Sequence, residues 1–257
     1  LILRRAVSRA GSILQNAYND IKELLSPPVC LACEGDLPPN DSFFCKACLD
    51  ELKISNPGTG PVCPFCGTPD FSKAGCKCLQ ETKIVRLFYW GKYDGKLIDY
   101  ISTFKYQGVI ELGNRLADEA ISALFERLNQ NKYDFIIPVP LYKSRERKRE
   151  YNQAEIIAKR ISESINARMA PASVFRVRST KQQSKITDES QRWANVKNAF
   201  SISESNAIEF EGKRVLIVDD IVTTGATIYE ASKPLRSANA ALVDIFSLAY
   251  AGYSKSR

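Results

Sequence analysis

The sequence contains no histidine, one methionine and two tryptophans in 257 residues. The missing imidazole excludes whole classes of chemistry: Ser-His-Asp and Cys-His catalysis, HExxH metal sites, and zinc fingers built on two cysteines and two histidines all require it. Any metal must therefore rest on thiolates and carboxylates. Long apolar runs are missing as well. No stretch approaches the roughly 18 uninterrupted apolar residues that span a bilayer. The opening LILRRAVSRAGSILQNAYNDIKELL lacks the compact apolar core of a signal peptide. A cytoplasmic protein without a transmembrane segment is expected, and in that reducing compartment eight cysteines point to metal binding before disulfides.

Hydrophobic residues make up 44% of the chain and charged residues 25%, which is enough to bury a core. The net charge of +7 suits polyanions, either phosphorylated small molecules or nucleic acid, although a solvated basic face gives the same number. Leu3, Val7, Ala10, Leu14, Ala17, Ile21 and Leu24 recur at helical spacing, which predicts an amphipathic docking helix over residues 1–26. Arg4, Arg5 and Arg9 leave a membrane-surface helix as the alternative. Residues 27–82 hold every cysteine, many prolines and glycines, and little periodicity. Such a segment cannot build an apolar core of its own.

From residue 83 strands and helices alternate. IVRLFYW, DFIIPVP, RVLIV and AALVDIFSLAY read as strands; GKLIDYISTF, LGNRLADEAISALFERL, NQAEIIAKRISESI and ATIYEASKPLRSA read as helices. The second of these helices presents Leu112, Leu116, Ile121, Leu124, Phe125 and Leu128 as its inner face. The alternation predicts an α/β domain over 83–257 whose central parallel sheet is covered on both sides.

The cysteines form four pairs: Cys30-x2-Cys33, Cys45-x2-Cys48, Cys63-x2-Cys66 and Cys76-x-Cys78. A CxxC turn brings two thiolates to one tetrahedral centre, and two turns complete a four-thiolate site. Two structural Zn²⁺ ions in a double zinc ribbon are expected. Pairing of neighbours is the simpler arrangement, and an interleaved one stays open. Gly67 supplies the backbone freedom such a turn needs after Cys66. Closed all-thiolate sites contribute folding energy and leave no position for catalysis. A redox dithiol is disfavoured because the pairs do not open a helix in a βα unit.

The sharpest local pattern is VLIVDDIVTTGAT, residues 215–227. Ligands of open α/β folds bind where parallel strands leave the sheet, so Asp219 and Asp220 are expected at the rim of a crevice. Two adjacent carboxylates accept hydrogen bonds from a vicinal diol or join in holding Mg²⁺. Thr223, Thr224, Gly225, Ala226 and Thr227 then lead into a helix amino end, where free N–H groups, hydroxyls and the helix dipole meet a phosphate. Diol binder and phosphate cradle together describe a ribose 5-phosphate.

This run resembles the phosphoribosyl-pyrophosphate (PRPP) motif of type I phosphoribosyltransferases. Over about residues 27–250 the chain resembles the ComF family, which joins a cysteine-rich zinc ribbon to such a domain and is linked to DNA uptake in natural transformation. The other matching stretches are FKYQG around Lys105, PVPL at 138–141, YNQAE from Tyr151, and RSTKQQSKITDESQRWANVKNAF from Arg178. PVPL matches the family's pyrophosphate loop, and 178–195 its mobile loop. The resemblance implies a type I phosphoribosyltransferase-like fold that binds PRPP with its 5-phosphate on 223–227, its diol on Asp219 and Asp220, and Mg²⁺ between diol and pyrophosphate. Lys105, Arg145, Arg178 and Arg192 are the basic contacts expected around it.

Guanidinium groups of the basic run KSRERKRE (Lys143, Arg145, Arg147, Lys148, Arg149) can fork onto pyrophosphate, or the run is a solvated turn. Most relatives carry Arg-Gly before the aromatic-Asn-Gln element, and here Glu150 takes the glycine position. Arg178, Thr180, Gln183, Arg192 and Asn195 lie in a segment with little apolar periodicity and read as ligand contacts, with Trp193 as an anchor among them.

As an enzyme the chain would expel pyrophosphate through an oxocarbenium-like centre stabilised by charge and positioning, which needs no histidine. Nothing in the sequence names the acceptor or the oligomeric state. The glutaminase half of amidophosphoribosyltransferase needs an amino-terminal cysteine, whereas this sequence begins with Leu1 and pairs its cysteines. Glutamine-dependent activity is not expected. The competing reading is a non-catalytic single-stranded DNA-binding member of the competence machinery, partnered with other competence proteins. It would use the same crevice, the zinc ribbons, and the aromatics Phe88, Tyr89, Trp90, Tyr93 and Tyr106, which otherwise read as core.

Overall fold

A computed structural model describes residues 29–37, 43–55, 62–65, 84–142, 151–181, 183 and 186–252. The expected helix over 1–26, the basic run with Arg145 and Glu150, and Cys66, Cys76 and Cys78 lie outside the described residues. The chain divides into two compact units, Leu1–Ile54 and Ser55–Arg257. That division falls inside the stretch read as one double ribbon. The reason is local: Val62 exchanges both backbone hydrogen bonds with Leu87, at 3.1 and 2.9 Å, and its side chain joins the core of the second unit. Cys63, next to it, is therefore held by the sheet.

In the first unit a turn at 31–33 joins Val29 to Asp36 in an antiparallel bridge, and helix α1 (Lys46–Ser55) follows. The second unit runs β1 (Ile84–Lys92), α2 (Gly95–Tyr106), α3 (Ile110–Gln130), β2 (Phe135–Pro138), α4 (Gln153–Ile165), β3 (Arg168–Met169), β4 (Val174–Arg176), α5 (Glu189–Val196), β5 (Phe200–Ile202), α6 (Glu204–Glu209), β6 (Arg214–Val222), α7 (Ala226–Ser237) and β7 (Leu242–Tyr250). Five strands make a wholly parallel sheet in the order β1-β7-β6-β2-β3. β4 and β5 form a separate antiparallel ribbon. The predicted α/β fold with a central parallel sheet is the one observed.

Residues 215–218 of β6 and Val243, Ile245, Phe246 and Leu248 of β7 are all buried, as expected of central strands covered on both faces. Phe88, Tyr89 and Trp90 are buried in β1 as well, so those three cannot stack on bases. On α3, Leu112, Leu116, Ile121, Leu124 and Leu128 turn inward as predicted, together with Ala117 and Ala120. Phe125 does not. At 100° per residue it falls on the flank of that stripe, and it is exposed. Gly113 of α3 lets α2 approach: a Cβ there would stand 2.2 Å from the Phe104 ring. That contact fixes the last turn of α2, which carries Lys105.

Two features open a crevice. β2 leads outward to β3 while β6 leads to β7 on the other side, so the connections diverge between β2 and β6. That switch point is where doubly wound sheets take ligands. In addition, β2 stops at Pro138, opposite Val218, but β6 continues beside β7 through Asp219, Ile221 and Val222. The sequence pattern placed the end of this strand at Val218. Pairing with β7 instead carries both aspartates into the strand, on an edge that β2 no longer covers.

Candidate functional site

A cavity of about 360 Å³ lies over that exposed edge. β6 contributes Asp219 and Asp220; the following turn and α7 contribute Thr223, Gly225, Ala226 and Thr227. Lys105 enters from α2, Arg176 from β4, and Gln183 and Arg192 from the segment between the ribbon strands. Neighbouring strand residues point to opposite faces, so the two acids reach the cavity from the two sides of β6.

Asp220 is buried, and its Oδ2 stands 2.8 Å from Lys105 Nζ. Asp219 Oδ1 accepts the Asp220 N–H at 2.9 Å. Burial first and Asp220 second push the Asp219 carboxyl up to about 8, against the opposing pull of Lys105 and Arg176. A carboxylate pair so crowded is relieved by hydroxyl donors or a hard cation.

Gly225 caps α7 with φ 76°, a left-handed conformation, and there is no acidic side chain in the helix's first turn. The positive end of the helix dipole therefore lies at the cavity lining, with no acid of the helix's own first turn to neutralise it. Gln183 Nε2 donates to the Arg192 carbonyl at 3.3 Å and lies 3.4 Å from Thr227 Oγ1. Thr224 is not among the lining residues; its hydroxyl accepts the Ala226 N–H at 3.4 Å and closes the turn.

A second layer holds this cradle, and it is absent from the sequence argument. A Cβ on Gly225 would meet the Pro64 carbonyl at 2.9 Å and the Phe65 ring at 3.0 Å. Phe65 contacts Tyr229 edge-on at 5.8 Å and Trp193 at 6.3 Å, and Trp193 meets Tyr229 at 5.4 Å. The residues that follow Cys63 thus brace both the turn at Gly225 and α5. The anchor expected of Trp193 is this cluster.

Several polar residues nominated from 178–195 hold the segment itself. Arg178 donates to the carbonyls of Asn195 and Lys197, at 3.0 and 2.7 Å, and does not line the cavity. The Asn195 side chain bonds the Lys181 N–H and carbonyl, both at 2.9 Å, and Thr180 accepts from Arg176 at 2.7 Å. Arg192 does line the cavity, with its Nε donating to the Ile186 carbonyl at 2.7 Å. Arg176 was missed because one arginine in a three-residue strand gives no pattern. In YNQAE, Asn152 caps α4 through the Ala154 N–H and donates to the Val139 carbonyl, and both Asn152 and Gln153 face the cavity.

In the first unit the sulfurs of Cys30, Cys33, Cys45 and Cys48 all lie within 4.8 Å of one another, with Cys33 and Cys45 at 3.9 Å. A tetrahedral zinc–thiolate centre sets its sulfurs about 3.8 Å apart, so the four can hold a metal ion. Cys45 and Ala32 donate N–H groups to Cys30 Sγ at 3.3 and 3.4 Å. Burial raises the Cys30 thiol, but these donors outweigh it and bring it down to about 6. Burial and the other three sulfurs push Cys48 up to about 12. Cys45 and Cys48 lie at the start of helix α1, but among the described residues no strand precedes it to make a βα unit. The four-sulfur geometry, rather than helix position, is what favours a metal over a redox dithiol. Glu34, after Cys33, adopts φ 60°, the left-handed conformation expected of Gly67 after Cys66. Cys63 is buried in the second unit. Among the described residues no helix is long and apolar enough to cross a membrane.

The family model described as "Phosphoribosyl transferase domain" matches residues 113–257, more than half of the chain. Competence protein F of Haemophilus influenzae is 33% identical over 228 residues, covering 86% of this chain and 96% of that relative. Competence protein ComFC of Bacillus subtilis is 27% identical over 242 residues, with 86% and 94% covered. DNA utilization protein YhgH of Escherichia coli is 28% identical over 234 residues, with 88% and 98% covered.

Proposed function

The chain belongs to the ComF family of competence-related proteins with a phosphoribosyltransferase domain, and we propose that its crevice binds PRPP together with Mg²⁺. One observation carries the reading. The paired acids, the acid-free amino end of α7 and the basic side chains of Lys105, Arg176 and Arg192 line one cavity at the switch point of the sheet. The 5-phosphate sits on the turn 223–227 and the ribose diol donates to Asp219 and Asp220. Arg145, outside the described residues, is the further basic contact proposed for the pyrophosphate. The two carboxylates and the ligand's own oxygens make an all-oxygen donor set that fits Mg²⁺, which would shield the pyrophosphate charge.

Bound this way, the carboxylates stand beside the sugar carbon that turns cationic as pyrophosphate departs, so the site is suited to phosphoribosyl transfer without glutamine. Zn²⁺ would fill the cluster of Cys30, Cys33, Cys45 and Cys48, and Cys66, Cys76 and Cys78, outside the described residues, would complete a second site with Cys63. In the cytoplasm the protein serves the handling of incoming DNA, a reading supported by the names of its relatives.

A second reading has its own support: Tyr93 and the exposed Tyr106 line the cavity beside Lys105, an arrangement open to a single-stranded base. Calorimetric titration of PRPP with Mg²⁺ into zinc-loaded protein separates the two. Binding that disappears in the Asp219→Asn, Asp220→Asn double variant supports a PRPP site. Wild-type protein that ignores PRPP but binds single-stranded DNA with a steep salt dependence moves the function to the second reading.

A further inference from the structure

The Lys105–Asp220 contact lies inside the cavity rather than beneath it. Lys105 sits in the last turn of α2, where the helix dipole favours a cation, and its ammonium rests on the carboxylate at 2.8 Å. An ammonium has three donors and no acceptor, on a flexible four-carbon stem. It therefore fills on Asp220 the place a ribose hydroxyl would take as donor. A diol that donates to Asp220 Oδ2 meets this ammonium there.

We propose that Lys105 is a specificity-determining counter-ion, resting on Asp220 in the free protein and moving to the anomeric pyrophosphate when PRPP enters. The inference rests on the PRPP reading above and deepens it. A ligand that brings both a diol and an adjacent polyanion repairs both ends of the exchange. The diol replaces the ammonium on Asp220, and the pyrophosphate receives the released charge. Ribose 5-phosphate brings the diol and the distal phosphate but no anion at the anomeric carbon, so it must displace Lys105 without giving it a new partner. The crevice then selects PRPP over ribose 5-phosphate through one lysine. Arg176 and Arg192 also line the cavity, and Lys105 is the side chain seen in direct contact with Asp220 Oδ2.

The test is a crossed titration of PRPP and ribose 5-phosphate, each with Mg²⁺, into wild type, Lys105→Met and Lys105→Arg, with a thermal melt of each protein as a folding control. Losing a charge-assisted bond to pyrophosphate should weaken PRPP binding by about tenfold to a hundredfold in Lys105→Met. Ribose 5-phosphate should hold its affinity or gain, because its competitor has gone. Lys105→Arg, which keeps the charge, should keep the wild-type order of the two ligands. Equal weakening of both ligands overturns the exchange and makes Lys105 an ordinary electrostatic contact. No change in either shows the lysine never leaves Asp220. Wild type that binds neither ligand overturns the PRPP reading itself, a result separate from the other two.

Discussion

Two aspartates on neighbouring strands of one sheet are each neutralised by a basic side chain, and the two arrangements differ in whether the partner can leave. Asp244 of β7 is fully buried. Arg86 grips it with Nε at 3.2 Å and a second nitrogen at 2.6 Å, the Tyr133 hydroxyl donates at 2.6 Å, and Asn131 accepts from the same guanidinium. Asp220 of β6, 10% exposed, meets a lysine at 2.8 Å beside an open cavity. The first pair ties β1, β7 and the end of α3 together with planar bidentate geometry. The second uses a point charge on a long stem. Arginine with a tyrosine makes a latch; lysine beside a cavity is, on the exchange proposed above, a counter-ion that a ligand can displace.

The largest effect should come from opening the latch. Arg86→Ala leaves a buried carboxylate whose burial already raises its pKa against the pull of its partners, and the expected loss is about 3–5 kcal/mol in urea unfolding. Lys105→Met should cost clearly less, since Asp220 lines the cavity and can take water there. Equal losses would break the distinction between latch and counter-ion.

Next in size is the pH response of the acid beside Asp220. The folded-state pKa of Asp219 is raised from 3.8 to about 8, so between those values the folded protein holds a proton that the unfolded chain has released. Its contribution to stability is therefore greatest at low pH, is lost as pH rises toward 8, and is flat above. Asp219→Asn should match wild type near pH 4 and exceed it near pH 9 by about 2 kcal/mol. The same substitution should weaken PRPP binding. A stabilised variant with intact binding would show that the strained acid serves nothing in the crevice.

If the ion pair of the crevice is exchangeable, rigidity there must come from the backbone, and Gly225 is where it enters. Gly225→Ala adds a Cβ 2.9 Å from the Pro64 carbonyl on a left-handed residue. The backbone term alone is about 1–2 kcal/mol, and PRPP affinity should fall with the displaced cradle. Retained affinity would mean the phosphate turn adapts freely and the brace from Phe65 is incidental.

The parallel sheet was legible because long apolar strands alternated with amphipathic helices, and the acid pair with its glycine turn was legible because both features sit in one run. The ribbon β4–β5 and helix α5 were not: strands of three residues, paired across some twenty-five positions, leave no periodicity. Arg178, Thr180 and Asn195 looked like ligand contacts because they are polar in an irregular segment. The structure shows the other use of such residues, which is to replace a missing apolar core with hydrogen bonds to the chain. Phe65 gave no sign at all, since its neighbours in sequence are the cysteine pair and its neighbours in space are Trp193 and Tyr229.

The smallest effect separates geometry from burial as the source of the latch's strength. Arg160 of α4 binds Asp118 of α3 with two nitrogens, both at 2.8 Å, a more even fork than the 3.2 and 2.6 Å of Arg86 on Asp244. Yet the two side chains are 38% and 41% exposed. Water already solvates both partners, so little desolvation is incurred when they pair and little remains uncompensated when one is removed. Arg160→Ala should cost under about 1 kcal/mol, falling further at high salt. A loss approaching that of Arg86→Ala would mean that the bidentate fork itself holds these helices and strands together. Lys105, which has no fork, would then be the weaker partner by chemistry alone, with no need to invoke the open cavity beside it.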